Sequence, residues 1–163
     1  MAIRQLLFSD SELLRKTSRP IETVDKRILT LLDDLAETLY EQEGAGLAAP
    51  QVGVLRRAIV IDVGDDYGLI QMVNPEIIAS EGEQEEPEGC LSIPGKRGYV
   101  VRPQRVTVRG LNREGEPIEI TAEGYLAIAF SHEIDHLDGI LYTDKMTREY
   151  IPEDEDDEEE DEE

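Results

Sequence analysis

The chain has 163 residues, a length typical of one domain, and 39% of them are hydrophobic, which is enough for one buried core. Its net charge of -22 argues against DNA binding, which needs clustered lysine and arginine, and against a membrane-surface function on the same electrostatic grounds. A single cysteine excludes an internal disulfide, and no stretch of about 18 apolar residues occurs, so we expect a cytoplasmic protein.

The first predicted element is an amphipathic helix over Val24–Glu43, where apolar residues recur at spacings of three and four. Asp25 suits its start and Gly44 its end. Alternating or continuous apolar residues then predict four short strands, at residues 58–63, 69–73, 105–109 and 117–121. The dipeptide Asn74-Pro75 is expected to end the second strand, and residues 112–116 to join the last two as a hairpin.

The last predicted element is a helix over Glu123–Leu137, which is apolar on most faces and followed by Gly139 as a stop signal. Such a helix is normally buried, and polar groups on it need partners, because unpaired burial costs free energy. The order of elements predicts an α+β fold with antiparallel or mixed strands packed around this central helix. One domain is expected over residues 1–150, followed by an acidic, disordered tail over 151–163.

The last helix carries His132-Glu133-Ile134-Asp135-His136, which fits the pattern H-E-x-x-H. Positions four apart lie on one helix face, so both imidazoles can bind one metal ion, and Glu133 beside them can act as a general base. The competing interpretation is two incidental histidines on a buried helix. Two histidines fall four positions apart by chance in roughly one of a hundred placements, so we favour the metal site.

A catalytic metal site usually has three protein ligands and one open position. The chain has no third histidine, so the third ligand is Cys90 or a carboxylate. A lone cysteine is more often a small buried apolar residue, but Gly89 precedes this one and allows close backbone approach to a ligand. Pro94 and Gly95 confine the cysteine to a loop or strand end. A thiolate suits Fe(II), Zn(II) or Co(II) better than Mg(II) or Ca(II).

Three segments together resemble the signature motifs of the peptide deformylase family. Gly44–Gln51 resembles G-x-G-L-A-A-x-Q, Glu88–Ser92 resembles E-G-C-L-S, and His132–His136 resembles H-E-x-D-H, all in the family's order. The similarity extends from about Ile3 to Met146. It implies a metal-dependent amide hydrolase that removes the formyl group from formyl-methionyl nascent polypeptides and releases formate. Without the resemblance, the first segment predicts only a helix stop and a turn.

The resemblance also implies the roles of individual residues. The implied metal ligands are Cys90, His132 and His136. Glu133 would be the catalytic acid–base, and Gln51 and the backbone N–H of Leu91 would donate hydrogen bonds to the oxyanion. The backbone around Gly46 and Gly89 would pair with an extended substrate peptide. The implied cofactor is one Fe²⁺ per chain, for which Zn²⁺, Ni²⁺ or Co²⁺ could substitute.

Further residues are candidates for substrate or site contacts. The residues predicted to line an apolar pocket are Tyr125, Ile128 and Ala129. They precede the first motif histidine by seven, four and three positions, although core packing explains them equally well. Arg97, in the predicted loop after the cysteine, would contact the substrate backbone or remain a solvated charge. Asp135 would face solvent or, as a hypothesis, support the metal site in a pair with Arg102.

Two features depart from the family pattern. Ser131 stands where many bacterial members carry glutamine, and we expect only a local effect. Many bacterial members also end in a basic helix that docks on the ribosome, whereas 11 of the 38 acidic residues here form the run Glu153–Glu163. This run would repel ribosomal RNA, which argues against ribosome docking through a basic C-terminal helix. We interpret it as a solvating segment, with a regulatory or partner-binding tail as the alternative. The expected chain is monomeric, with a formylated nascent peptide as its partner.

Two rival interpretations stay open at this point. A zinc peptidase of the H-E-x-x-H type would take its third ligand downstream of the helix, and the upstream Cys90 argues against it. A non-enzymatic module with a structural ion would close with four protein ligands. The sequence instead offers three ligands of the nitrogen and sulfur type, with Glu133 placed for catalysis.

Overall fold

The structure is a computed structural model that describes residues 2–151, so the predicted acidic tail lies outside the described residues except for Ile151. The helices are α1 (Lys26–Glu41), α2 (Tyr125–Leu137) and α3 (Tyr142–Lys145). The strands are β1 (Gly46–Ala48), β2 (Ala58–Ile61), β3 (Ile70–Glu81), β4 (Gln84–Cys90), β5 (Ile93–Arg102), β6 (Arg105–Leu111), β7 (Pro117–Glu123) and β8 (Arg148–Glu149). The fold is α+β, as predicted. None of the described helices is long and apolar enough to cross a bilayer.

The described strands form two sheets. One has the order β1-β2-β3-β6-β7, the other has the order β4-β5-β8, and neighbouring strands are antiparallel. Helix α2 packs through Phe130 and its apolar neighbours on the larger sheet and also contacts β5 of the smaller one. The helix therefore lies where residues of both sheets can reach it. Strands β1 and β4 are edge strands of their sheets.

Helix α1 confirms the first predicted element. The side chain of Asp25 accepts a hydrogen bond from the backbone N–H of Ile28 at 3.1 Å and so caps the helix. Gly44 lies at the end of the helix as predicted, since its N–H donates to the carbonyl of Leu39 at 3.1 Å, while Glu43 before it adopts the left-handed conformation with φ 55°. Gly44 also leaves room for a neighbour: a Cβ there would lie 2.8 Å from Cδ1 of Leu91. The missing side chain at Gly44 thus lets the end of α1 pack closely against the turn after β4.

Strand β3 corrects the expected break at Asn74-Pro75. The strand continues through both residues, and its pairing with β6 shifts register between Val73 and Glu76. Asn74 has φ 52°, and its side chain exchanges two 2.8 Å hydrogen bonds with the backbone of Ile21. A bulge of this kind can hold a proline, because the bulged residue has no partner in the ladder.

The remaining predicted strands appear as β2, β6 and β7, with bounds shifted by one or a few residues. The connection over 112–116 is the predicted hairpin, closed by a 2.9 Å bond from the N–H of Asn112 to the carbonyl of Glu116. Strands β1, β4, β5 and β8 and the short helix α3 were not predicted. Strand β5 contains Pro94 and Gly95, whose local preference is for turns, and its pairing with β4 overrides that preference.

Candidate active site

Three ligand atoms from α2 and β4 converge at one point. His132 and His136 are one helical turn apart on α2, and their Nε2 atoms lie 3.2 Å from each other. Cys90 ends β4, and its Sγ lies 3.3 Å from Nε2 of His136. All three ligand atoms lie within 4.8 Å of one another. Separations of about 3–4 Å are what three donors have when each lies about 2.0–2.3 Å from one ion.

A buried ion-pair network orients one of these histidines. Nδ1 of His132 lies 2.9 Å from Oε1 of Glu88, which leaves Nε2 directed at the convergence point. Arg102 donates to both carboxylate oxygens of Glu88, at 2.8 and 3.0 Å. Burial opposes ionisation of Glu88, but the hydrogen bonds from His132 and Arg102 outweigh it and hold the pKa of that carboxyl below its usual range. Glu88 is therefore a charged acceptor that fixes the imidazole.

The same arginine reaches the motif helix directly. Nη1 of Arg102 donates to Oδ2 of Asp135 at 2.6 Å, which confirms the predicted pair, and Lys145 donates to Asp135 from the other side at 3.2 Å. The role of Glu88 as the partner of a histidine was not predicted from the sequence. The two-residue spacing between Glu88 and Cys90 could have indicated this role, because alternate residues of a strand can share a face. A β-bulge between the two residues, at Gly89, adjusts this alternation locally.

Glu133 is buried beside the ligands, and its Oε1 has no hydrogen-bond partner among the described residues. A Cβ added at Gly46 would lie 2.5 Å from its other oxygen, Oε2, so β1 passes directly against this carboxylate. Burial raises the pKa of Glu133 to about 7, although the charge of His132 acts in the opposite direction. A carboxyl group with such a pKa can both accept and release a proton near neutral pH.

The side-chain amide of Gln51 has a defined orientation. Its Oε1 accepts a 2.9 Å hydrogen bond from the N–H of Ala48, so its Nε2 must point the other way. Nε2 donates to Oγ of Ser92 at 3.0 Å and lies 3.6 Å from Sγ of Cys90. Ser92 is fully buried and was not predicted as a site residue. Its place within the E-G-C-L-S segment was the available signal.

A cleft of about 370 Å³ leads to these groups. The predicted substrate residues that line it are Gly46, Gly89, Arg97, Tyr125, Ile128 and Ala129. Leu91 also lines the cleft, in the two-residue turn between β4 and β5. Tyr125 is 58% exposed and stands at the rim, whereas Ile128 and Ala129 are buried. Ala129 also belongs to the main apolar core, so it both packs in the core and lines the cleft.

The predicted location of Arg97 was wrong. It lies within strand β5 and not in a loop, because β5 continues through the glycines around it. Its Nη2 donates to the carbonyl of Pro87 at 3.3 Å, and its guanidinium lies 5.0 Å from the ring centroid of Tyr150. The cation is thus held at the cleft mouth by neighbours on both sides of β5.

The sequence and the fold both match one group of known proteins. The sequence model of the polypeptide deformylase family matches residues 3–150. The chain belongs to the peptide deformylase family. The peptide deformylase of Acetivibrio thermocellus is 59% identical to it over 155 residues, which are 95% of this chain and 89% of that protein.

Solved peptide deformylase structures agree over nearly the same range. The enzyme from Legionella pneumophila has a TM-score of 0.86 and 50% identity, covering 90% of this chain and 87% of that one. The enzyme from Thermotoga maritima has a TM-score of 0.87 and 36% identity, covering 90% and 99%. As a member of the peptide deformylase family, the chain is an enzyme, a metal-dependent hydrolase.

The residues at this deformylase centre fit a bound cation. Burial alone would lower the pKa of His132, but the charge of Glu133 and the hydrogen bond to Glu88 raise it well above its usual value. A metal ion would replace that proton, because a ligating imidazole is neutral and the same anionic surroundings favour either cation. Burial lowers the pKa of His136 well below its usual value, and this keeps the ring neutral, as a metal ligand must be.

The deformylase motif on α2 is preceded by Ser131. Its Oγ is buried and donates to the carbonyl of Ala127 at 2.9 Å, one turn earlier in the helix. The hydroxyl is therefore satisfied within α2 and lies outside the ligand group. A local effect of serine at this position therefore stays a prediction.

Proposed function

We propose that the chain hydrolyses the N-terminal formyl amide of formyl-methionyl polypeptides and releases formate. The observation that carries this proposal is the buried Glu133, whose unpartnered Oε1 lies beside the converging Cys90, His132 and His136. We assign the catalytic domain to residues 1–150, with the H-E-x-x-H helix at its centre. The lone cysteine must stay reduced to act as a ligand, which supports a cytosolic location.

Cys90, His132 and His136 would hold the ion, and an ion bound there would act as a Lewis acid that makes a water molecule more acidic. We propose Fe²⁺ as the native ion, with Zn²⁺, Ni²⁺ and Co²⁺ as ions that the same donors accept. One thiolate with two imidazoles is a donor set that suits these soft and borderline metals. Among the described residues the ligand group has three side chains, which argues against a closed structural site.

Glu133 would move the proton. Its carboxylate accepts a proton from the attacking water, whose oxygen bonds to the formyl carbon. The carboxyl group then gives the proton to the amine nitrogen as the carbon–nitrogen bond breaks. A pKa of about 7 suits both halves of this transfer, because neither protonation state is strongly preferred near neutral pH.

Gln51 and the backbone N–H of Leu91 would stabilise the negative charge that grows on the formyl oxygen. Ala48 and Ser92 hold the Gln51 amide in one orientation, and its second amide hydrogen, directed at Sγ of Cys90, is the one that would serve the oxyanion. Leu91 follows Cys90 directly, which places its peptide N–H beside the sulfur ligand. Donors fixed in advance are the ones that contribute most to rate.

The cleft runs between two edge strands, which supports binding of an extended peptide. Gly46 lies on β1 and Gly89 on β4, and an edge strand has backbone groups free to pair with an added strand. Ile128 and Ala129 would receive the methionine side chain, with Tyr125 at the rim and Arg97 near the peptide backbone. We propose that the enzyme acts as a monomer, and that its acidic C-terminus does not mediate docking on ribosomal RNA.

The decisive experiment measures formate release from formyl-Met-Ala-Ser by the full chain purified anaerobically with Fe(II). Glu133→Gln should lower turnover by about 10²–10⁴-fold while the metal content stays the same. Glu119→Gln, a change at an exposed carboxylate on β7, is the matched control and should keep the parent rate. A fully metallated parent that releases no formate would refute the proposed reaction. An active Glu133→Gln enzyme would refute the role of Glu133.

A further inference from the structure

A second groove adjoins the active-site cleft beside the turn that follows β4. One wall comes from the N-terminal segment Ile3–Phe8, and the other contains Leu91 and Pro94. Its volume is about 740 Å³. Cys90, Leu91 and Pro94 line both the groove and the cleft, so the two spaces are neighbours with a shared wall. We call the second space the N-terminal groove.

The N-terminal groove presents large apolar side chains to solvent. Ile3 is 51% exposed and Phe8 is 47% exposed, and both line the same groove together with Leu6 and Leu91. Single exposed apolar residues are ordinary on protein surfaces, but several that face one concavity mark a binding surface. The groove is thus chemically suited to aliphatic or aromatic side chains.

The charge of the groove supports the same ligand chemistry. Arg4 is the one charged residue among those that line it in the described part of the chain. Its Nε donates to Oδ2 of Asp34 at 2.9 Å, and that pair neutralises the cation. The groove therefore carries little net charge although the chain as a whole carries -22. An uncharged, apolar segment fits it better than an acidic or a basic one.

The N-terminal wall is held in place before any ligand arrives. The backbone N–H of Arg4 donates to Oγ1 of Thr38 on α1 at 2.8 Å, and the N–H of Leu7 donates to the carbonyl of Gln51 at 2.7 Å. The segment is thus tied both to α1 and to the short 3-10 helix Ala49–Val52 that carries the proposed oxyanion donor. A preformed groove loses little conformational entropy on binding.

We propose that the N-terminal groove binds apolar side chains of the substrate polypeptide downstream of the residues held in the cleft. This inference rests on the proposed function. A formyl group marks the first residue of a polypeptide, so the substrate has no residues before the reacting bond. A surface that borders the cleft can therefore meet, within the substrate, only residues that follow the methionine. The groove would make the enzyme favour formylated chains with large apolar residues a few positions after the methionine.

The test compares kcat/KM for three formyl peptides with the full, metal-loaded chain. The peptides are formyl-Met-Ala-Ser, formyl-Met-Ala-Ser-Leu-Leu-Ser and formyl-Met-Ala-Ser-Ser-Ser-Ser. The leucine hexapeptide should exceed the serine hexapeptide by about 5- to 10-fold, mainly through KM, since a groove buries part of each leucine side chain. Equal values for the two hexapeptides would overturn the proposal. Formate release from none of the peptides would instead refute the proposed function itself.

Variants locate the effect in the groove. Ile3→Ser combined with Phe8→Ser should reduce the leucine-to-serine ratio to about 1, and Phe8→Leu alone should keep most of it. Ile78→Ser is the matched control, since Ile78 is 39% exposed on β3 and does not line the groove. An unchanged ratio in the double variant would overturn the proposal. A parent dimer that becomes monomeric in the double variant would overturn it too, because a second copy would then cover the groove.

Discussion

The two sides of α2 are both buried, yet they are buried by different chemistry. One side packs Leu126, Phe130 and Ile134 against apolar residues of the five-stranded sheet. The other side meets β4 and β5 through His132 and Asp135, whose partners are Glu88 and Arg102. The apolar side stabilises the fold because it removes apolar surface from water. Another apolar side chain of similar shape would preserve part of that stabilisation. The polar side depends on complete pairing, because a single missing partner leaves a buried charge.

This contrast predicts that substitution of Arg102 causes the largest combined loss of stability and metal affinity. Arg102→Met should lower the free energy of unfolding by about 3–5 kcal/mol, because Glu88 and Asp135 lose their buried counter-charge. It should also weaken metal binding by about 10- to 100-fold, because the carboxylate that orients His132 is no longer fixed. Urea unfolding and competitive metal titration would measure the two quantities.

Arg105→Met is the matched control for that prediction. Arg105 pairs with Glu81 and Glu123 at the exposed ends of their strands, where solvent screens the charges. Its loss should leave metal affinity unchanged and alter stability little. Similar losses of stability in the Arg102 and Arg105 variants would contradict the claim that complete pairing governs the polar side.

The apolar side predicts a loss of stability without a loss of metal affinity. Phe130→Ala removes a fully buried ring and should lower the free energy of unfolding by about 3–5 kcal/mol, through lost burial and a residual cavity. Metal affinity of the folded fraction should match the parent. Tyr125→Ala, at the exposed start of the same helix, should cost much less stability. A large drop in metal affinity for Phe130→Ala would show that the two sides are not independent.

A smaller effect, on turnover rather than on stability, is expected where β1 contacts the polar side of α2. Gly46→Ala would place a Cβ 2.5 Å from Oε2 and 3.0 Å from Cδ of Glu133, so the carboxylate must move. Gly46 does not have a positive φ, so the backbone accepts alanine without strain. We expect kcat to fall by about 10- to 100-fold through misplacement of the proton acceptor, with little change in stability. Parent-like kcat would mean that Glu133 tolerates displacement.

The smallest effect belongs to an exposed pair, Tyr40 and Asp62. The tyrosine hydroxyl donates to Oδ2 of Asp62 at 2.6 Å, which raises the pKa of Tyr40 to about 12 and lowers the pKa of Asp62. The lowered carboxyl pKa stabilises the fold above the ordinary aspartate pKa, and this contribution is lost as pH falls through the lowered value. The raised pKa of Tyr40 has its effect at the other end of the pH range. Its contribution to stability is fully present below about pH 10 and is lost as pH rises towards about 12.

Tyr40→Phe tests this pair. The pKa of Asp62 should rise towards its ordinary value in an NMR titration, although the N–H of Gly64 still donates to its Oδ1 at 3.0 Å. The difference in stability between parent and variant should shrink in acid. Because Tyr40 is 52% exposed, solvent screening keeps the effect well below that of Arg102→Met. An unmoved Asp62 pKa would show that the hydrogen bond does not persist in solution.

Local periodicity accounts for the parts of the fold that the sequence predicted. Helix α1, helix α2 and the hairpin of β6 and β7 arise from spacings within single segments, and the structure has all of them. The spacing of His132 and His136 is local in the same sense, since one helical turn brings the two rings together. Cys90 is 46 positions from His136, so no spacing rule pointed to it. Residue chemistry left Cys90 or a carboxylate as the third ligand, and the family motif selected the cysteine.

The sequence by itself determined the helices, the hairpin strands and the residue types that can bind a metal, because these depend on neighbours within a few positions. The tertiary structure decided the rest. The register between β4 and β5 sets Glu88 and Arg102 against α2, and the pairing of β3 with β6 carries that strand through Asn74-Pro75. Such contacts join residues far apart in the chain, and their stability depends on burial and pairing that exist only once the fold has formed.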